Sequence, residues 1–441
     1  MKETSPDTAP RVLLPRGKRL FFALVLTAAV LGAATLIVAF LEARGWIDTQ
    51  RPEDRVAYPP VDWLRLEDGP HGKVYRLTDA NMVASTFPLR KEPGVVRVFV
   101  TGESFAMGTP YAHQDRAKNL GGDLPNWIRA LLETRFPSRR FEVVNAAAGA
   151  QNSTRVAEIA RQLVRLDTDL LILATGNNEG YVPPTQYNAL LHRWVLYRLL
   201  KKGIRPSPAA QGNYFSPADA DTAAIRRAFQ RNIRVIGEAA RERGVKLVLA
   251  TLPINLRYDA KQSPYPLPEN DAALTEGRRL LAAGKYAAAL KVLAESRHTA
   301  YSLLYMGRCA EALGRWDDAR QYYKLAVEQR PTSQMRPSFN QFLRDYATEN
   351  RFALADLENL LEQAAPHGLP GSELFVDVCH LNWRGYHQAA HGIVAAILQA
   401  GLTAAGPGEP RPEPSLDELL QKYGWEWLRM LPEGRENDQP V

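Results

Sequence analysis

The chain is poor in cysteine and carries no concentrated block of one charge. Cys309 and Cys379 are the only cysteines in 441 residues. Two sulfurs cannot build a disulfide framework, and their wide separation excludes the close pairing of zinc-ligand cysteines. A single bridge between them is the alternative to two free thiols. The formal charge is +7, but residues 1–19 hold five basic and two acidic side chains, leaving about +4 for the rest. No basic cluster is interleaved with aromatics, so a nucleic-acid partner is not expected. A third lack is local: Leu20–Leu41 contains no charged residue at all.

As a helix that uncharged run would be about 33 Å long, enough to cross a hydrocarbon core of about 30 Å. Arg11, Arg16, Lys18 and Arg19 precede it, whereas a balanced set (Glu42, Arg44, Asp48, Arg51) follows. The positive-inside rule then places the N-terminus in the cytoplasm and residues 45–441 outside, in the periplasm if the cell is Gram-negative. A cleaved signal peptide is the competing reading. Its apolar region would be unusually long and no small-x-small site follows, so an uncleaved single-pass anchor is expected.

Beyond the anchor, residues 45–94 are rich in Pro, Asp and Arg and read as an irregular lead-in. Val95–Val100 alternates Val and Phe and reads as a buried strand running into Thr101-Gly102-Glu103-Ser104. Further strands are expected at Phe141–Asn145, Leu170–Ala174, Lys246–Thr251 and Leu374–Val378. Amphipathic helices are expected at Leu124–Phe136, Thr154–Leu166, Thr222–Arg243 and Trp383–Leu398. Apolar strands alternating with such helices predict an α/β fold with a parallel sheet covered on both faces, its ligand crevice at the strands' carboxyl ends.

Between the fourth and last strands the period changes. Gly307, Gly314, Trp316, Ala319, Tyr323, Ala326 and Pro331 fall at the spacing of a tetratricopeptide repeat. Gly277, Gly284, Tyr286 and Ala289 form an earlier partial copy, and Cys309 takes a helix-packing position. A plain helical hairpin is the simpler alternative. The expected organisation is a basic tail (1–19), an anchor (20–41), a lead-in (42–94), a first α/β part (95–255), a repeat-like helical insertion (256–350), a second α/β part (351–402) and a tail with a short helix (403–441).

Four clusters carry chemistry. Ser104 follows a strand and a turn-permitting glycine. Gly149 and Gly176-Asn177-Asn178-Glu179 follow two more strands. In Asp377-Val378-Cys379-His380 the carboxylate can turn back on Nδ1–H three residues later, fixing the tautomer and freeing Nε2 as a base. In this order the blocks resemble the SGNH (GDSL-type) esterase and acylhydrolase superfamily over about residues 95–255 and 370–400. The resemblance implies a flavodoxin-like three-layer sheet, Ser104 as nucleophile, His380 as base and acid, and Asp377 orienting it. It also implies an oxyanion hole from the Ser104 and Gly149 N–H groups and the Asn178 amide. Glu103 and Glu179 depart from the aspartates usual in the family, at positions that break no bond.

The implied activity is an extracytoplasmic serine esterase removing acyl groups, acetyl among them, from a cell-envelope glycan or lipid. No cofactor or metal is implied. An O-acyltransferase using the same triad is the first alternative. The second is a scaffold whose repeat holds a protein partner beside an inert hydrolase domain.

Overall fold

The computed structural model describes residues 15–47, 49, 63–79, 81–112, 121–180, 191, 194–203, 222–258, 271–296, 298–329, 334–401 and 410–431. Most of the basic tail, the last ten residues and Pro331 of the repeat pattern lie outside these. In chain order the first elements are α1 (Arg16–Ala43), β1 (Leu64–Gly69), β2 (Gly72–Leu77), β3 (Thr86–Pro88), β4 (Val95–Gly102) and α2 (Ser104–Met107). Next come α3 (Leu124–Arg135), β5 (Arg140–Asn145), α4 (Ser153–Leu163), β6 (Leu170–Ala174), α5 (Val195–Gly203), α6 (Thr222–Glu242) and β7 (Lys246–Ala250). The helices α7 (Ala272–Ala282), α8 (Tyr286–Leu293), α9 (Ala300–Ala312), α10 (Trp316–Gln329) and α11 (Pro337–Asn350) follow. The chain closes with β8 (Ala353–Ala355), α12 (Leu357–Ala364), α13 (Trp383–Gln399) and α14 (Leu416–Tyr423).

Two compact units result: one from Met1–Arg55 with Tyr187–Pro206, the other from Val56–Gln186 with Ser207–Val441. In the first, α1 turns apolar side chains outward along its length; Leu20, Leu26 and Leu36 are each more than half exposed. Among the described residues one helix, Gly17–Ala43, is long and apolar enough to cross a membrane or to serve as a signal sequence.

The second unit is built on a five-stranded parallel sheet in the order β5-β4-β6-β7-β8. Counted along the chain this is 2-1-3-4-5, the doubly wound flavodoxin-like order. Every residue of β6 is buried, as expected of a strand covered by helices on both faces. The register aligns Val100 with Asn145 and Gly102 with Ala174. The turns after β4, β5 and β6 therefore open at one edge, beside the β4/β6 switch point where such folds bind ligands.

Three expectations are corrected. Residues 45–94 are not irregular throughout: β1, β2 and β3 form an antiparallel sheet, with Leu64 facing Leu77 and Tyr75 facing Phe87. Its outer positions are charged, so only a weak apolar alternation marks it. The fifth strand of the main sheet is β8, not Leu374–Val378. Ala353-Leu354-Ala355 is too short to stand out in sequence, but pairs with Val248–Ala250. Leu374–Val378 instead curls: the N–H groups of Leu374 and Phe375 both donate to the Gly371 carbonyl, and only Phe375 bridges, to Leu381. That curl hands the chain to the Asp377–His380 loop.

The insertion is a run of paired helices, α7 against α8 and α9 against α10. Leu293 lies against Gly277 and the Tyr323 ring against Gly307, so small residues let each pair close up. Cys309 is buried in α9, and neither cysteine is in a disulfide.

Arg97, in the middle of β4, is fully buried. Its guanidinium donates to Glu142 (2.5 Å) and to the Leu166 and Pro88 carbonyls (both 2.8 Å), and lies over the Phe87 ring. It thereby ties the small sheet to the large one. Arg97→Leu strips Glu142 of its partner and leaves two carbonyls unpaired, so it should lower unfolding free energy by about 3–5 kcal/mol. Urea denaturation checks this, and Arg97→Leu/Glu142→Leu should recover part of the loss.

Candidate active site

The site begins with a backbone constraint at the end of β4. Gly102 has φ +150°, and a Cβ there would sit 1.9 Å from the Ala174 carbonyl oxygen. Only glycine lets β4 and β6 approach so closely and still turn. The turn opens α2, whose first residue is Ser104. Its backbone N–H, like others in a first helical turn, has no acceptor among the described residues.

Across the crevice the Asp377–His380 loop is folded on its own carboxylate. Asp377 Oδ1 accepts the N–H groups of Cys379 (3.0 Å) and His380 (2.8 Å). Its Oδ2 lies 2.7 Å from His380 Nδ1. His380 Nε2 in turn lies 2.7 Å from Ser104 Oγ. The structure thus brings Ser104, His380 and Asp377 into a continuous hydrogen-bonded line, although serine and histidine are 276 residues apart in the chain.

The electrostatics follow from the neighbours. Burial disfavours the His380 imidazolium, but the Asp377 carboxylate bonded at Nδ1 outweighs it and raises the ring above its ordinary value. Burial works against the Asp377 carboxylate as well. Bonds from His380 prevail and hold it below the usual carboxylate range. The Cys379 thiol, raised by burial, stays protonated. Ligand atoms of Asp377, Cys379 and His380 lie within 4.8 Å of one another, as in a metal site. Both ring nitrogens of His380 are already engaged by Asp377 and Ser104, so this cluster suits proton transfer better than ligation.

The three sequence-expected oxyanion donors differ in placement. Asn178 stands at the crevice and gives one Nδ2 hydrogen to the Gln151 carbonyl (2.9 Å); the amide has a second to offer. The Ser104 N–H is free to donate inward. The Gly149 N–H is not: it donates to the Asn81 carbonyl at 2.8 Å. Asn81 and Met82 lie against this turn, with Met82 bridging Ala148, and a buried N–H takes the acceptor at hand. Ala150, next in the chain, has φ 54°, a left-handed conformation that costs a non-glycine residue roughly 1 kcal/mol or more.

Glu103, read from sequence as a minor departure, is a main support of the site. Fully buried, it accepts the N–H groups of Gly176 (2.9 Å) and Asn177 (2.5 Å) on Oε1 and of Asn178 (3.1 Å) on Oε2. One carboxylate thus fixes the whole loop that presents Asn178. Glu179, also buried, accepts from Ser153 N (2.6 Å) and Oγ (3.0 Å) at the start of α4. Burial chiefly, with charge repulsion from Glu179, lifts Glu103 to about 8; burial lifts Glu179 to about 7.

Three consecutive residues beyond the paired helices reach both halves of the site. Gln334 Nε2 donates to the Asn255 carbonyl (2.8 Å), and Asn255 Nδ2 to the Asp377 carbonyl (2.9 Å). The Met335 sulfur occupies the space a side chain at Gly176 would need. Arg336, buried, places its charge near Glu179 and favours that carboxylate. No local sequence motif signals these contacts.

No family model and no curated protein matches the chain. Among solved structures it is similar to TesA, at 12% identity over 69% of this chain and 99% of that one, with a TM-score of 0.33. An acetyl xylan esterase, AlAXEase, is 14% identical over 68% and 100%, TM-score 0.35. A GDSL-like lipase from Bacteroides thetaiotaomicron is 12% identical over 69% and 88%, TM-score 0.32. At such identities and TM-scores the likeness carries no functional weight.

The raised carboxylates set a pH dependence. Glu103 binds its proton more tightly folded than unfolded, so its contribution is fully present below about 4.5 and is lost as pH rises towards about 8; Glu179 acts in the same direction. Urea midpoints measured across that window should decline with pH, and more shallowly in Glu103→Gln. An unchanged slope in the variant would exclude Glu103 as a titrating group.

Proposed function

We propose that this chain is a membrane-anchored serine esterase or acylhydrolase of the SGNH type, acting on O-acyl esters through an acyl-serine intermediate. The observation that carries this is the line Asp377 Oδ2–His380 Nδ1 and His380 Nε2–Ser104 Oγ, each step 2.7 Å. A serine hydroxyl is a poor nucleophile until a positioned base takes its proton. Here that base is aligned, and its tautomer is fixed by a carboxylate that also holds the loop.

In the proposed cycle, Ser104 Oγ attacks the ester carbonyl carbon as its proton passes to His380 Nε2. The new oxyanion accepts from the Ser104 N–H and the second Asn178 amide hydrogen. Collapse breaks the bond to the alcohol, which leaves with the proton from His380. Water then attacks the acyl-serine and gives its proton to His380; the carboxylic acid departs and Ser104 is restored. Capture by a sugar hydroxyl in place of water gives the O-acyltransferase alternative from the same intermediate.

Substrate class rests on the sequence resemblance and on topology: O-acetyl or other O-acyl esters of an envelope glycan or lipid, met outside the membrane that α1 spans. The paired helices α7–α10 fit a tetratricopeptide-like insertion, since small residues at Gly277 and Gly307 receive Leu293 and Tyr323. A protein partner bound there would act on the site through Gln334, Met335 and Arg336. This favours the repeat as an addition to an enzyme over an inert scaffold.

In membranes, a fluorophosphonate probe should label the wild type and not Ser104→Ala, with loss of signal when protease acts from outside. Ester hydrolysis should fall at least about 10³-fold in Ser104→Ala and about 10²–10³-fold in Asn178→Ala. No labelling of the folded protein would defeat the esterase reading.

The rate should also rise with pH as His380 loses its proton, with a midpoint above the ordinary 6.5. In Asp377→Asn the midpoint should move down and the plateau fall. A wild-type midpoint below 6.5 would contradict the assigned partner.

A further inference from the structure

We propose that His387 and His391, on one face of α13, form a binding site for a divalent transition-metal ion of the imidazole-preferring, right-angled class, copper(II) or nickel(II). Glu413, from the segment leading into α14, orients one of the two ligands from behind. The site is structural and stands apart from the esterase reading.

The helix supplies the spacing. Residues four apart lie one above the other on the same face, and α13 runs unbroken through both histidines. His391 Nε2 lies 2.9 Å from His387 Nε2. The ring centroids are 4.3 Å apart and the planes meet at 71°. Among the described residues neither Nε2 has another hydrogen-bond partner. His391 Nδ1 is paired with the Glu413 carboxylate. That carboxylate holds the ring proton on Nδ1 and leaves Nε2 with a lone pair facing the second ring. A carboxylate behind a histidine is also what orients a metal-ligating imidazole and raises its basicity.

The separation selects the ion. Two nitrogens about 2.0–2.1 Å from one ion and at right angles to each other stand about 2.9 Å apart, whereas at the tetrahedral angle they stand about 3.3 Å apart. The observed 2.9 Å matches the tetragonal geometry of copper(II) and nickel(II) better than the tetrahedral geometry of zinc.

The surroundings suit a clasp. The His391 side chain is 20% exposed, so an ion can enter from solvent and water can complete its shell. Trp127, fully buried in α3, stands edge-on to His387 with ring centroids 4.9 Å apart, and Trp425 meets Trp127 at 4.8 Å. Glu413 brings the negative charge. Arg135, 3.9 Å from Glu413, takes the Arg411 N–H on its carbonyl at 2.8 Å. An ion held by α13 would therefore fasten residues 410–431 to the α/β unit through His391 and Glu413.

The test uses the full chain in detergent micelles at about pH 7.5, where most imidazole is neutral. Nickel(II) is titrated against tryptophan emission, and copper(II) is followed by electron paramagnetic resonance. Nickel should quench part of the emission, and that part should be missing in Trp127→Phe. One equivalent of copper should show two equatorial nitrogens and raise the melting temperature. Glu413→Gln should weaken binding about 10–100-fold. His387→Ala and His391→Ala should each abolish quenching at nickel levels that saturate the wild type. Equal affinity in wild type and His391→Ala would overturn the proposal. So would binding that survives in both histidine variants and is lost in His380→Ala, which would put the ion at the Ser104–His380–Asp377 line. Should a variant fail to fold, the copper spectrum of the unsubstituted chain decides: without a pair of equatorial nitrogens there is no such site.

Discussion

One carboxylate holds the crevice together. Glu103 leaves the end of β4 next to Ser104 and takes three successive backbone N–H groups from the turn after β6. Without it, the Gly176–Asn178 loop would carry buried donors with nothing to accept them, at about 1–3 kcal/mol each. With it, the position of the Asn178 amide relative to Ser104 is set by one side chain adjacent in sequence to the serine. The loop is held from its far side too, where Glu179 is fastened to the first turn of α4. Two buried acids thus brace the ends of a four-residue turn.

The fold was legible wherever burial on both faces made the strands continuous. Val95–Gly102 and Leu170–Ala174 announce themselves because a strand covered by helices has no polar side to interrupt it. Ala353–Ala355 did not, since three small residues owe their place in the sheet to the neighbouring strand rather than to their own pattern. The sheet at 64–88 was hidden for the opposite reason: its solvent-facing charges mask a thin apolar face. Leu374–Val378 has strand composition but runs into an acid that folds the next three residues around itself. At the site, Ser104, His380 and Asp377, which the structure brings together, could be singled out because each sits where a strand or turn stops abruptly. The occupied Gly149 N–H could not, because its acceptor, Asn81, comes from a segment that no short motif connects to it. Arg97 stood in plain view among valines; nothing local says that Glu142 and two carbonyls will collect around it.

The helical insertion is more than an appendage in the connection between β7 and β8. It returns to the sheet through Gln334, Met335 and Arg336, which meet the Asp377 side through Asn255 and the Asn178 side through Gly176 and Glu179. The proposed base and oxyanion donor come from loops distant in sequence, and this short return segment meets both through its neighbours. Small displacements of the paired helices would be felt at the two places where hydrogen-bond length would matter most for the proposed acyl transfer.

The span between Ser104 and His380 has a consequence for the timing of the protein's life. A chain made from its N-terminus carries Ser104 long before His380 exists. Nearly two-thirds of the polypeptide must follow before the hydroxyl acquires anything to deprotonate it. A product that stops short of His380 would lack the proposed base. The proposed centre would be assembled only when synthesis of the chain is nearly complete.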